Sequence, residues 1–454
     1  MKIVCVQGLG FVGSAMAVAI ASGNKNLKVI GLEKNNERGK DIINKINYGK
    51  LPFTTEDKNL VKEFKKCSKN KKIIATVDQK VIKDVDVIVS NINLDLNFKK
   101  KKPNVNFNNI KNIYKNIGKY IKKGSLIILE TTVPPGTSEK IILPIIQKEF
   151  KKRGYKNQDI NFIYSYERVM PGKEYLNSIK NFWRVYSSNN EKADRLFKKF
   201  CSYFINLKKF PMTKLDNLRS AETAKILENS YRATNIAFIQ EWTEYSKNLK
   251  INLFPIIKAI KIRPTHQNIM RPGLGVGGYC LTKDPLFGKI SHEKFYRKKL
   301  IKNNFHFSSK SVILNNKMPM FTFNCISEKF KSLNNKKVLF LGITYKSDVQ
   351  DTRHSPTTTL AKKFQTNGCS IFFYDDLCSS WPEIKKAKFI SNSKFQQFDI
   401  IIYYLNTKIG KNFDFSKLKQ YKGLVVDVSN ILSLSQQRQI KNSKINHCFI
   451  GNFN

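Results

Sequence analysis

Acidic side chains are scarce in this chain. Its 454 residues hold 34 Asp and Glu against 81 Lys and Arg, a formal charge of +47. An excess of that size raises the question of a polyanionic partner, either nucleic acid or an acidic membrane. The lysines occur nearly everywhere, as in "EFKKCSKNKK" and "NFKKKKPN", and not in one stripe. No RNA- or DNA-binding motif accompanies them, so no nucleic-acid partner is expected. The charge reads as a compositional bias on solvated faces. One consequence survives: a basic surface attracts a phosphorylated substrate and speeds its capture.

Long apolar runs are also missing. No block of 18 uncharged apolar residues stands out, which argues against membrane insertion. The early run ending in "AIA" (Ala19 to Ala21) imitates a signal-peptidase site. It is broken by "QGLGFVG", and a signal sequence has no need of three spaced glycines. The eight cysteines (5, 67, 201, 280, 325, 369, 378 and 448) form no CxxC pair and have no His at zinc spacing. We therefore expect no metal, mostly inert thiols and a reducing, cytoplasmic setting. No fixed-period repeat appears. Apolar content is an ordinary 41%, so the chain is not disordered, and its length gives room for two or three full cores.

The first 200 residues alternate short apolar runs with helical stretches. "KIVCVQGLG", "LKVIGLEKN", "KKIIATVD", "VDVIVSNI", "SLIILETTVPPG" and "NFIYSYE" read as strands buried on both faces, the pattern of a parallel sheet. From about Leu215 to Lys250 neither Gly nor Pro interrupts, and one long helix is expected. Ala221, Ala224, Leu227, Ala233, Ile236, Ala237 and Ile239 mark its apolar stripe. The last third starts again with "KKVLFLGITYK", "SIFFYDD", "FDIIIYYLN" and "GLVVDVSN". The expected fold class is α/β: two Rossmann-like doubly wound domains joined by a long central helix and a helical middle domain. The expected divisions are residues 1–212, 213–315 and 316–454.

"GLGFVG" places Gly8, Gly10 and Gly13 in GxGxxG spacing, with Phe11 and Val12 between them, after a strand over Ile3 to Val6. The helix it opens is expected over Ser14 to Ser22. Glycine allows the tight turn, close backbone approach to a pyrophosphate and close helix–sheet contact. Glu33 follows Gly13 by twenty residues at the end of the next strand. An acid there suits the adenosine ribose hydroxyls and repels a 2′-phosphate, which favours NAD over NADP.

"GVGGYCLTKDP" puts Cys280 behind glycines 275, 277 and 278 and ahead of Lys283 and Asp284. Two readings are open: a structural thiol beside a loop, or a nucleophile whose thiolate Lys283 helps to form. A nucleophilic Cys beside NAD suggests aldehyde oxidation through a thioester. Lys225 and Asn229 lie four apart on one helix face, with Glu228 and Glu241 nearby. Lys225 is open to a snorkelling or a functional reading.

Taken in order, "GLGFVG" with "EKNNER", "ETTVPPGT", "YERVMPG", "KILENSYRATNIAFIQEW", "GVGGYCLTKD" and "GITYKSDVQDTRHSP" resemble the motifs of the UDP-glucose/GDP-mannose dehydrogenase family, the nucleotide-sugar 6-dehydrogenases. The resemblance implies a four-electron oxidation of the sugar C6 alcohol by two NAD. It implies Cys280 as the covalent nucleophile, forming a thiohemiacetal and then a thioester. Lys225 and Asp284 match positions that handle the proton and an ordered water. Asn229 matches an oxyanion support, and Glu167 an acid that assists hydrolysis. Glu33 and Arg38 fall where the adenosine ribose and phosphates are held, Thr132 near the nicotinamide, and Arg353 at an NAD contact from the C-terminal domain. Lys346 matches a contact to the nucleotide of the substrate, and Arg263 lies near an Arg that the family supplies from a neighbouring subunit. Gly277 and Tyr279 line the sugar side. The helix over Leu215 to Lys250 resembles the family's dimer core, so a homodimer or higher homo-oligomer is expected.

Departures from the family pattern leave the sugar open. "VDVIVSNINLDL" lacks the usual V-P-T-P, Tyr166 stands where Pro is common, and "LNTK" replaces T-x-H. Tyr279 occupies a position that is often His in acetamido-sugar members and Ser in glucose members. Lys283 resembles the glucose and mannose branches, whereas "RPGLGVGG" and "ERVMPG" resemble the N-acetylhexosamine branch. The substrate expected is a UDP-sugar (UDP-glucose or a UDP-N-acetylhexosamine), oxidised to a uronic acid for surface polysaccharide. Two alternatives fit the residues less well. A two-electron hydroxyacid dehydrogenase has no need of Cys280 or a third domain. An inactivated scaffold has no need to keep Lys225, Asn229, Cys280 and Asp284 together.

Overall fold

The structure is a computed structural model of the full chain, and it describes residues 2–97, 103–296, 305–418 and 420–454. Most of the "NFKKKKPN" run lies outside the described residues. The chain divides into two compact units, residues 1–228 with 286–304 and residues 229–285 with 305–454.

The first unit is built on an eight-stranded sheet. Its strands are β1 (Ile3–Gln7), β2 (Lys28–Leu32), β3 (Ile73–Thr76), β4 (Val87–Ser90), β7 (Leu126–Leu129), β8 (Asn161–Tyr166), β9 (Val185–Ser188) and β10 (Thr213–Lys214). Their order across the sheet is β10-β9-β8-β7-β4-β1-β2-β3. A separate two-stranded pair joins β5 (Leu96–Asn97) to β6 (Asn104–Val105). The six apolar runs of the first 200 residues all become strands of the large sheet. β4 and β7 are buried along their whole length, as covering both faces requires. One expectation is corrected: β9 runs antiparallel to β8, so the sheet is mixed at that edge. β9 and β10 are short and half polar ("VYSS", "TK"), which hides them from a search for apolar runs.

Helix α1 runs Phe11–Gly23, beginning three residues before the expected Ser14. The GxGxxG glycines are therefore shared between turn and helix. α1 is buried from Gly13 to Ala21, and its small side chains let it lie close to the sheet. Val4, Val6, Val18, Ile20, Val29 and Val87 form the centre of this core.

The second sheet has strands β11 (Lys337–Leu341), β12 (Ser370–Tyr374), β13 (Lys388–Phe389), β14 (Ile400–Tyr403), β15 (Leu424–Asp427) and β16 (Asn446–Phe449). Its order is β13-β12-β11-β14-β15-β16, and every pairing is parallel. Apolar clusters cover both faces, one around Phe340, Phe364 and Trp381 and the other around Leu341, Phe398 and Phe415.

The central helix spans Leu218–Leu249, shorter than Leu215 to Lys250 by three residues at its start and one at its end. Of the expected stripe, Ala221, Ala233, Ala237 and Ile239 are buried and Ala224 and Ile236 half-buried; only Leu227 departs from it. Leu227 is 66% exposed, whereas Glu222, Lys225, Asn229 and Ser230 are buried with Ala221, Ile226 and Ala233. Helical periodicity found the face. Polar residues occupy part of it because each has a tertiary partner, and partners of that kind leave no trace in local periodicity.

Candidate active site

The glycine loop and the residues around it lie in the first unit. Gly8 adopts φ +87°, and its N–H donates to Leu32 O at 2.9 Å. A Cβ on Gly13 would run into the carbonyl oxygen of Gly8, so the helix can start this close only with glycine there. Around Gly10 no atom lies within 4 Å of where a Cβ would stand, which leaves open space over the turn. The α1 N-terminus has no side-chain cap and no acid in its first turn, so its N–H groups and positive dipole end remain available to an anion. Together the open turn and the uncapped helix end fit a dinucleotide pyrophosphate.

Glu33 follows β2, and its carboxylate accepts from Leu9 N across the turn and from Lys34 N at 3.1 Å. It thus sits beside the glycine loop, where ribose hydroxyls would be met. Arg38 is exposed in the first turn of the helix Glu37–Asn47. Phe11 is half-buried against Phe53, with ring centroids 4.6 Å apart, and Val12 is half-buried beside it. Thr132 is half-buried after β7. The neighbouring Thr131, which carries no motif signal of its own, donates its hydroxyl to Ile92 O at 2.7 Å. That bond ties the loop after β7 to the loop where V-P-T-P is missing.

Thr132 is followed by a buried turn with an acid beneath it. Glu222 of the central helix is fully buried and accepts from Gly136 N and from Ser138 N at 2.9 Å. Burial pushes its carboxyl up to about 8, against the opposing pull of those hydrogen bonds. Ser291 Oγ donates to Pro135 O at 2.6 Å on the other side of the turn. Sequence reasoning missed Glu222. Its only local signal is an acid on the buried face of a helix.

Lys225 is 8% exposed, which removes the snorkelling reading. Its Nζ donates to the carbonyl oxygen of Glu167 at 3.0 Å and lies 5.2 Å from the centre of the Tyr166 ring. Glu167 is half-buried, and its carboxylate accepts from Val169 N at 2.8 Å. Desolvation raises its pKa above the usual carboxylate value; Lys225 pulls the other way. The structure therefore brings Lys225 and Glu167 together. Glu228 binds Arg168 and the Tyr166 hydroxyl, and Glu241 is exposed.

The cysteine loop lies in the second unit. Cys280 is the one exposed cysteine of the eight. It stands on a turn in which Lys283 N and Asp284 N both donate to its carbonyl oxygen, at 3.1 and 2.9 Å. Gly275 and Gly278 have positive φ, +116° and +86°. A Cβ on Gly277 would come within 2.8 Å of Tyr345 Cβ and 3.0 Å of Pro356 Cδ. Gly278 N donates to His354 O at 3.3 Å. The "GITYKSDVQDTRHSP" segment is thus the bed on which the cysteine loop lies, a connection the two motifs do not reveal separately.

Asp284 is completely buried and doubly held. Its carboxylate accepts from Asn229 Nδ2 at 2.8 Å and from Lys283 Nζ at 2.6 Å. The structure thus brings Asn229 and Asp284 together. Lys283, expected to help ionise the thiol, is seen paired with Asp284, and its Nζ lies 4.4 Å from the centre of the Tyr279 ring. Tyr279 also stands 6.3 Å from the His354 ring. Arg353 forms a bidentate pair with Asp351, at 2.9 and 2.8 Å, and Lys346 pairs with Asp348 at 3.1 Å. Arg263 is exposed where the helix Leu253–Ile260 gives way to a 3-10 turn.

The sequence matches three models of one family, described as the UDP-glucose/GDP-mannose dehydrogenase family. Residues 1–204 match its NAD binding domain, 219–305 its central domain and 339–434 its UDP binding domain. A UDP-N-acetyl-D-mannosamine dehydrogenase of Methanocaldococcus jannaschii is 30% identical over 442 residues, covering 95% of this chain and 93% of the relative. Two solved structures share the fold. One is an NDP-N-acetyl-D-galactosaminuronic acid dehydrogenase from Methanosarcina mazei, with TM-score 0.79, 23% identity and coverage of 100% and 96%. The other is a UDP-D-ManNAc dehydrogenase from Pyrococcus horikoshii, with TM-score 0.80, 22% identity and coverage of 99% of both chains.

Proposed function

Because the chain belongs to the UDP-glucose/GDP-mannose dehydrogenase family, and is thereby an NAD-dependent nucleotide-sugar dehydrogenase, we propose that it oxidises the C6 alcohol of a UDP-N-acetylhexosamine to the uronic acid. UDP-N-acetyl-D-mannosamine is the first choice of substrate. That choice is supported by the relatives that cover most of the chain, and by the acetamido-type "RPGLGVGG" and "ERVMPG".

One observation carries the four-electron chemistry: a single exposed thiol on a glycine turn, next to a buried carboxylate held by an amide and an ammonium. Gly8, Gly10, Phe11, Val12, Gly13, Glu33, Arg38 and Thr132 would hold NAD, with Arg353 adding a contact. NAD, when bound, supplies the hydride acceptor for both oxidations. In the first oxidation, the C6 alcohol loses its hydroxyl proton and a hydride to become an aldehyde. Lys225 and Asp284 take the proton toward water. Cys280 sulfur then bonds to C6, and the former carbonyl oxygen gains a proton, giving a thiohemiacetal. That tetrahedral carbon loses a second hydride and its hydroxyl proton, leaving a thioester. Water adds, the C–S bond breaks, and sulfur regains its proton as the acid leaves. Glu167, whose carboxyl burial raises above its ordinary value, assists this hydrolysis. Asn229 fixes Asp284 and supports developing negative charge on oxygen. Lys346, Gly277, Tyr279 and Arg263 would face the nucleotide sugar.

We assign three parts, residues 1–212, 213–315 and 316–454, to NAD binding, assembly with the cysteine loop, and UDP binding. We assign a homodimer or higher homo-oligomer to the face of the central helix bearing Tyr231, Phe238, Trp242 and Tyr245. All four are exposed at spacings that keep them on one side. A cytoplasmic location accords with eight free cysteines, and among the described residues no helix is long and apolar enough to cross a membrane.

The test is stoichiometry. UDP-sugars and GDP-mannose are each offered with NAD, and NADH and uronic acid are counted. Two NADH per UDP-N-acetylmannosamine are expected, and Cys280→Ser should stop acid formation. One NADH per sugar with no effect of Cys280→Ser would refute the thioester route.

A further inference from the structure

We infer that Tyr166 is a positioning residue for Lys225: its ring face and the Glu167 carbonyl oxygen hold the ammonium, while Glu228 and Arg168 hold the ring. The inference rests on the preceding reading, in which Lys225 works on the sugar alcohol. It concerns a residue that the family motif does not predict, because Tyr166 stands where proline is common.

The geometry is closed on several sides. Tyr166 ends β8 and is 2% exposed. Lys225 and Glu228 lie three residues apart on the central helix, and they bracket the side chain. Lys225 Nζ is 5.2 Å from the ring centre, whereas Glu228 Oε2 meets the phenol oxygen at 3.2 Å. Arg168 completes the frame. Its guanidinium donates to the phenol oxygen at 3.1 Å, pairs with Glu228 at 3.1 Å and lies 5.4 Å from the ring centre. An aromatic face attracts a cation through its quadrupole, more strongly where water is kept away. A proline offers no such face. Another charge that acts on the ammonium is the Glu167 carboxylate, which Glu130 and Arg184 also influence. Burial, with Glu228 adding to it, keeps the phenol above its ordinary pKa, so the ring remains neutral.

The ring quadrupole can be weakened without removing the ring. Phenylalanine and its mono-, di- and trifluorinated forms at position 166 keep the shape while the face loses its attraction stepwise. The first readout is acetylation of Lys225 by acetic anhydride against pH, followed by peptide mass spectrometry in the full-length enzyme without substrate. Each fluorine should favour the neutral amine and move the labelling midpoint to lower pH. The second readout is kcat with UDP-N-acetylmannosamine. It should fall stepwise, by about tenfold across the series, with KM within about twofold. A midpoint that stays fixed overturns the inference whether or not any sugar is oxidised. A moving midpoint with a flat kcat in active enzyme overturns the positioning role. If the wild type oxidises no nucleotide sugar, the preceding reading fails, and the labelling series alone decides whether the ring holds the ammonium.

Discussion

Individual residues show most clearly how burial creates chemistry here. Glu222 carries a carboxyl pushed up to about 8, while two backbone N–H groups of the 136–138 turn depend on it. Its folded value lies above its ordinary 4.5, so the native state binds a proton that the unfolded chain releases. The associated stability is complete below pH 4.5 and is lost as pH rises through about 8. Glu222→Gln should abolish that loss. Glutamine brings one carbonyl oxygen to a site with two donors, so the variant should be about 1–2 kcal/mol less stable at low pH. Thermal melts between pH 5 and 9 check this: the wild type should decline and the variant should stay level. Two parallel declines would show that another group governs the slope. Gly277 teaches the converse lesson, since its importance lies in a contact it avoids. Any side chain there meets Tyr345 and Pro356, so the cysteine loop would have to lift from its bed.

At the scale of elements, the central helix serves two environments. Its buried side carries Glu222, Lys225 and Asn229, each with a named tertiary partner. Its outer side carries Tyr231, Phe238, Trp242 and Tyr245. If that outer side joins two copies, replacing both Phe238 and Trp242 by Asp should halve the mass seen by light scattering while far-UV circular dichroism is retained. A double variant with unchanged mass would move the interface elsewhere. The glycine turn, Glu33 and the continuously buried strands were legible in the sequence because they depend on spacing and local conformation. Leu227 was misplaced and Glu222 overlooked because hydropathy is not partnership: a polar residue on the buried face looks like a flaw until its acceptor or donor is known. Tyr166 was visible as a departure from a motif, but the ring's relation to Lys225 depends on a strand and a helix nearly sixty residues apart. The antiparallel β9 was hidden for a simpler reason, since four residues with two serines carry little pattern.

For the whole molecule, charge is the dominant quantity. A chain of +47 attracts a substrate that carries a diphosphate, and the attraction extends about 30 Å in dilute buffer but about 8 Å at physiological salt. Added salt should therefore lower kcat/KM by several-fold between about 10 and 150 mM while kcat holds, because capture is screened and chemistry is not. Stopped-flow mixing at several ionic strengths measures this, and an invariant kcat/KM would return the lysines to simple composition. Sulfur is distributed in the opposite way. Burial raises Cys67 and takes Cys5, Cys201, Cys325, Cys369, Cys378 and Cys448 to about 11 or 12, so at neutral pH they are hidden and protonated. Only the thiol on the glycine turn faces outward. An alkylating reagent thus meets one target per native chain, and the molecule can be counted, tagged or switched off through a single atom without any mutation to clear the background.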